Sequence, residues 1–110
     1  MIEFKPNING EIVVYNAFEN GEETGKVLLT LDKTHSCLKN IKAINDETAE
    51  GLIRSALHAA ANRNAYTCVY EPDEFKSVAL VLGFTEKDGK LTGEIPFLLT
   101  GCCGCNGGCQ

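Results

Sequence analysis

Basic residues are in short supply: 10 lysines and arginines stand against 15 aspartates and glutamates, a formal charge of -5 at pH 7. The isoelectric point is near 4.9. This balance argues against nucleic acid or an anionic membrane as the main partner, because each calls for a basic face to displace counterions or meet lipid headgroups. Long like-charge runs are missing as well. No apolar run approaches the roughly 18 residues of a membrane span, and the opening "MIEFKPNING" has no basic region followed by an apolar stretch. Internal repeats, calcium-binding loops and Walker-type phosphate loops are absent too. The expectation is a soluble, cytoplasmic protein.

What is there suffices for one modest core: 110 residues, 44% of them apolar. The six cysteines are not spread as in a secreted disulfide scaffold, whose bridges close loops around a small core. Cys37 and Cys68 stand alone, and the other four crowd the end, "GCCGCNGGCQ". Cys68, inside "AYTCVYE", reads as a small buried hydrophobe. The expected organisation is a domain over 1–100 and a flexible Cys/Gly-rich tail over 101–110.

Residues 2–4 alternate enough to start a strand, which Pro6 and "NING" are expected to break. "EIVVYNAF" (11–18) and "KVLLTLD" (26–32) are β-branched and aromatic or aliphatic, and "ENGEETG" between them is turn chemistry, so they predict a hairpin. "CLKNIKAI" (37–44) supplies a third antiparallel strand. From Glu47 the period changes: Ala49, Leu52, Ile53, Ala56, Leu57 and Ala60 recur at three and four, predicting a helix over 47–63, capped by Asn45 or Asp46 and ended at Asn64. "AYTCVYE" (65–71) follows as a strand expected to be buried on both faces. Pro72 and Asp73 open a second, shorter helix that Gly83 closes, and "FTEK", the turn "DG" and "LTGEIPFLL" predict a final hairpin. The order implies an α+β (α/β-like) fold: a mixed, mostly antiparallel central sheet with two helices.

This order, with "EFKSVALVLGF" before a hairpin, resembles the GNAT N-acetyltransferase superfamily over roughly residues 11–99. The likeness is to a reduced version, lacking the two helices which that family places between its first two strands, for there is no room between Phe4 and Glu11. It implies an acyl-CoA cofactor whose pyrophosphate lies on backbone N–H groups where the main helix begins. The matching stretch here is "DETAEG", which makes Ala49, Gly51 and Leu52 the implied cofactor-binding positions. Asp46 stands where the family has Arg or Gln, and Ala49 replaces the first glycine. Asp46, Glu47 and Glu50 also place negative charge where a diphosphate would dock. In the second helix Gly83 and Phe84 match the family's Gly-Phe pair, but Ala79 holds the position of the tyrosine that protonates the leaving thiolate. The resemblance therefore implies a degenerate relative without the usual acetyl transfer, and no catalytic residue is assigned.

Other candidates are few. His35 and Cys37 form a His-x-Cys pair at a loop-to-strand junction, and His58 sits mid-helix as a partly exposed residue. Two residues do not make a metal site. The tail differs: Cys102, Cys103, Cys105 and Cys109 offer up to four thiolates on a glycine-rich segment. Soft ligands of this kind select zinc, Cu(I) or an iron–sulfur cluster. Thiol–disulfide exchange by the Cys-x-x-Cys pair Cys102 and Cys105 is the rival chemistry, though the sequence shows no helix N-terminus behind that pair to lower a thiol pKa. Two further readings stay open: a folded leader for a ribosomally made, enzymatically modified Cys-rich peptide, and an acetyl-CoA-dependent N-acetyltransferase with non-standard site residues. A protein partner or a homodimer is compatible with the sequence.

Overall fold

The computed structural model describes residues 2–100; the Cys102, Cys103, Cys105 and Cys109 cluster lies outside the described residues. Seven strands form one sheet: β1 (Ile2–Asn9), β2 (Ile12–Glu19), β3 (Glu22–Asp32), β4 (His35–Ala43), β5 (Thr67–Tyr70), β6 (Thr85–Lys87) and β7 (Lys90–Glu94). Three helices accompany them: α1 (Asp46–Ala61), α2 (Lys76–Leu82) and α3 (Ile95–Thr100). The strand order is β1-β2-β3-β4-β5-β7-β6. Every pairing is antiparallel except β4 with β5, the pair that α1 connects. The expected α+β class with a mixed, mostly antiparallel sheet is what the chain forms.

Hairpin chemistry accounts for most of this topology. Asn20-Gly21 and Asp88-Gly89 both have two successive positive φ angles (56° and 84°; 54° and 81°), the type I′ geometry that matches strand twist. The turn between β2 and β3 is therefore two residues, shorter than "ENGEETG" suggests, and β3 starts at Glu22. Pro6 does not break β1, which runs through to Asn9. At the edge of the sheet a missing N–H costs no ladder bond. The two-residue turn to β2 leaves no helix between the first two strands.

The 16 residues of α1 bury Leu52, Ile53, Ala56 and Leu57 against Val13, Val27, Leu29, Leu38 and Ile41 of the sheet. Two glycines let the helix lie close. A Cβ on Gly25 would come within 2.7 Å of the Lys42 carbonyl oxygen and 2.9 Å of Leu52, and one on Gly51 within 2.2 Å of the Phe4 ring. Asn64, in the left-handed region (φ 70°), turns the chain just beyond the helix. β5 is shorter than expected and only half enclosed: Cys68 and Tyr70 are buried while Thr67 and Val69 are partly exposed. The reason is that α2 and α3 pack against α1, so all three helices cover the same face of the sheet. "LTGEIPFLL" also divides differently from the sequence reading, with β7 ending at Glu94 and α3 beginning at Ile95. Pro96 in the first turn of a helix loses no hydrogen bond, whereas inside a strand it would.

Candidate functional site

The N-terminus of α1 is capped from within the chain. Asn45 is extended (φ -160°, ψ 175°), and its side-chain oxygen accepts from the Thr48 N–H at 2.8 Å while its carbonyl accepts from Ala49 at 3.1 Å. Asp46 and Glu47 fill the first turn, where carboxylates complement the helix dipole. Of the three implied cofactor positions, Ala49 and Leu52 are fully buried and face the core, and Gly51 lies under Phe4.

Two open clefts flank this helix start. One, of about 750 Å³, has Ile2, Phe4 and Gly51 with Glu19, Glu47 and Glu50 on its walls. The other, of about 390 Å³, runs between α1 and α2 and is lined by Asp46, Glu47, Glu50, Ser77, Val78 and Val81. Neither lining contains a lysine or arginine. The cation beside them, Arg54, is already paired with Glu50 at 3.0 Å. A diphosphate there would meet carboxylates, with Coulomb repulsion and desolvation both opposed to it.

α2 starts later than the Pro72–Asp73 entry expected from the sequence: it is preceded by Phe75, a non-glycine residue in the left-handed region (φ 59°) with no side-chain cap, and followed by Gly83 (φ 125°). Ala79 is fully buried and brings no hydroxyl. The neighbouring Phe84 is also buried, its ring tilted against that of Tyr70 at 5.8 Å. The Tyr70 hydroxyl donates to the Glu74 carbonyl, and burial, with the Glu74 charge second, pushes its pKa up. That phenol fastens the loop before α2.

β4 and β5 pair only from His35 with Thr67 to Leu38 with Tyr70, and the Glu71 N–H closes the ladder on the Leu38 carbonyl at 3.0 Å. Next to this point β4 carries a bulge, since Leu29 faces Leu38 while Leu28 faces Asn40, leaving Lys39 as the extra residue. Here Lys39 and Glu71 form an ion pair of 3.3 Å, both about half exposed, beside Cys37. The Cys37 thiol is pushed up to about 11, by burial first and by the Glu71 carboxylate second. Glu71 is held below the usual carboxylate range, first by the Cys37 thiol and then by Lys39. The thiol is neutral at physiological pH and thus a weak nucleophile. An open cleft of about 520 Å³ adjoins, with Glu71, Asp73, Glu86, Lys76 and Lys90 among its walls.

His35 and Cys37 do share a face of β4, but His35 Nδ1 lies 2.6 Å from Thr67 Oγ1 and the thiol's partner is Glu71. Sequence reasoning missed Glu71 because it reaches the thiol across a parallel pairing, with no local signal. Cys68 is fully buried, with its thiol pushed up to about 11 by burial. His58 is exposed on α1. Among the described residues no group of three or more His, Cys, Asp or Glu could hold a metal ion.

No family model matches the sequence, and no curated protein does. Solved structures do match. An N-acetyltransferase from Staphylococcus aureus Mu50 superposes with a TM-score of 0.69 at 13% identity, over 87% of this chain and 99% of that one. The fold is that of the GNAT acetyltransferases. A GNAT family acetyltransferase from Elizabethkingia anophelis, with acetyl-CoA bound, matches at 0.64 and 17% identity over 84% of this chain and 97% of that one. The aminoglycoside 6′-N-acetyltransferase from Enterococcus faecium matches at 0.68 and 12% over 80% and 77%. The reduced GNAT fold seen here thus accounts for nearly all of two of these chains. No helix among the described residues is long and apolar enough to cross a membrane.

Proposed function

We propose that this chain is a cytoplasmic GNAT-fold protein that does not transfer acetyl groups from acetyl-CoA. Its chemistry resides in Cys102, Cys103, Cys105 and Cys109, which bind a soft metal ion or cluster or undergo thiol redox exchange. The observation that carries the first part is the α1–α2 cleft, where Asp46, Glu47 and Glu50 meet no free cation and the Asn45 side chain occupies the Thr48 N–H. The buried Ala79 agrees with it, since α2 offers no acid to a leaving thiolate at that position. The tail reading rests on the density of thiols among glycines.

Isothermal titration with acetyl-CoA tests the first part, with no binding expected in the micromolar range. For the second, the reduced full chain is incubated with zinc or Cu(I) and weighed by native mass spectrometry. About one zinc per chain is expected, lost as pH falls because thiolate ligands must be deprotonated. Cys102→Ser with Cys105→Ser removes that uptake, and Cys37→Ser leaves it intact. Absence of uptake at neutral pH overturns the metal reading.

A second reading, acetyl-CoA-dependent N-acyl transfer with non-standard residues, is favoured by one observation. The match to the Elizabethkingia structure, which holds acetyl-CoA, extends over 97% of that chain. A low-micromolar dissociation constant for acetyl-CoA would overturn the first reading, and acetyl transfer to an amine acceptor would establish this one.

A further inference from the structure

With α1, α2 and α3 on one side, no element among the described residues covers the other face of the sheet. Strand alternation sends Val14, Phe18, Leu28, Cys37 and Val69 to that face, and all are only partly buried. One row across it is unusual for an acidic protein. Lys5 pairs with Asn16, Asn16 with Lys26, and Lys26 with Lys42, so a single line over four strands carries three exposed lysines. Lys26 and Lys42 are directly opposite each other, and like charges so placed repel. None of the three has an ion-pair partner among the described residues. Lys5 lies over the Phe18 ring, 5.4 Å from its centroid. The nearest carboxylates stand on the next row, where Phe18 pairs with Glu3 and with Glu23; the Glu23 carboxylate accepts from the Asn16 amide at 3.1 Å, and Glu71 further along the sheet is paired with Lys39. Lys26 and Lys42 wall a hollow of about 180 Å³ whose other lining residues are Leu28 and Asn40.

We propose that this face docks an acidic amphipathic helix of a partner protein. Its apolar stripe would cover Val14, Leu28 and Val69, and its carboxylates would pair with Lys5, Lys26 and Lys42. A helix is the natural occupant because a sheet face presents side chains and no backbone ladder, and sheets bury such faces against helices. Anionic partners are selected by the unpaired lysines, whose mutual repulsion a carboxylate between them relieves. A protein segment is favoured over a nucleic acid because the net charge of -5 opposes a long polyanion while the local row attracts a short one. The proposal is independent of the tail cysteines and of acetyl-CoA binding.

The probe is a synthetic helical peptide with leucines along one face and glutamates along the other, titrated into the isotopically labelled full chain and followed by NMR. Binding should shift the amides of Val14, Leu28 and Asn40. In the Lys26→Gln, Lys42→Gln variant, which removes a repulsive pair and should fold at least as well, affinity should fall about tenfold. A peptide with lysines in place of the glutamates should not bind. Failure of the acidic peptide to bind, or equal affinity for the variant, overturns the proposal. So does tighter, lysine-dependent binding of a mixed-sequence oligonucleotide, which would make the face a nucleic-acid surface. Sedimentation of the protein alone supplies the remaining arm: a dimer that the variant loses would make a second copy the occupant and refute the partner helix.

Discussion

Gly51 has two contrasting explanations, and its substitution by alanine separates them by sign. If it seats Phe4, a new Cβ would stand 2.2, 2.8 and 2.9 Å from three ring atoms, where carbon contacts normally lie at ~3.5–4.0 Å. The ring must retreat by more than ~1 Å, and because it belongs to edge strand β1 it can swing outward at the expense of its packing on α1. Overpacking of this kind costs about 1–3 kcal/mol. Replacing glycine by alanine inside a helix returns up to about 1 kcal/mol. Gly51→Ala should therefore destabilise the protein by about 1 kcal/mol, the difference of those two effects. In a Phe4→Ala background the clash is gone, and the same change should stabilise by up to about 1 kcal/mol. The coupling of about 2 kcal/mol falls within the range for residues in direct contact. Urea unfolding followed by circular dichroism measures all four proteins of the cycle, with equal m-values as the check on two-state behaviour. An effect of the same sign and size in both backgrounds would refute the seat for Phe4 and return Gly51 to the role of admitting a ligand to the backbone.

Cys37 should be slow to alkylate: iodoacetamide labelling mapped by mass spectrometry should stay far below that of a small free thiol at pH 8 and rise only as pH approaches about 11. Fast labelling at pH 8 would show that burial and Glu71 do not hold the proton. The depressed Glu71 pKa contributes stability above the unfolded carboxylate value that disappears as pH falls through the folded one. The stability gap between the native chain and Glu71→Gln should thus be present at pH 7, small because the pair is half exposed, and absent in acid. A gap that persists at pH 2 would assign it to packing instead.

Local chemistry determined much of this protein before any contact between distant residues was known. The period-three-and-four apolar positions from Ala49 to Ala60 fixed α1, and the β-branched runs with Asn-Gly and Asp-Gly between strands fixed the hairpins, because both signals act through neighbours in the chain. The GNAT-like order followed from these elements, and so did the carboxylates at the start of α1. Pro6 and "EIPFLL" misled because proline's effect depends on whether its missing N–H would have had a partner, which is a property of the sheet edge and of the helix start. Only the tertiary structure placed Glu71 against Cys37 through the parallel β4–β5 pairing, and Phe4 on Gly51. It alone also lined up Lys5, Lys26 and Lys42 across four strands, since the two-residue turns set the hairpin register only as far as the first bulge, and the extra residues Thr24 and Lys39 shift the Asn16–Lys26 and Lys26–Lys42 pairings by one.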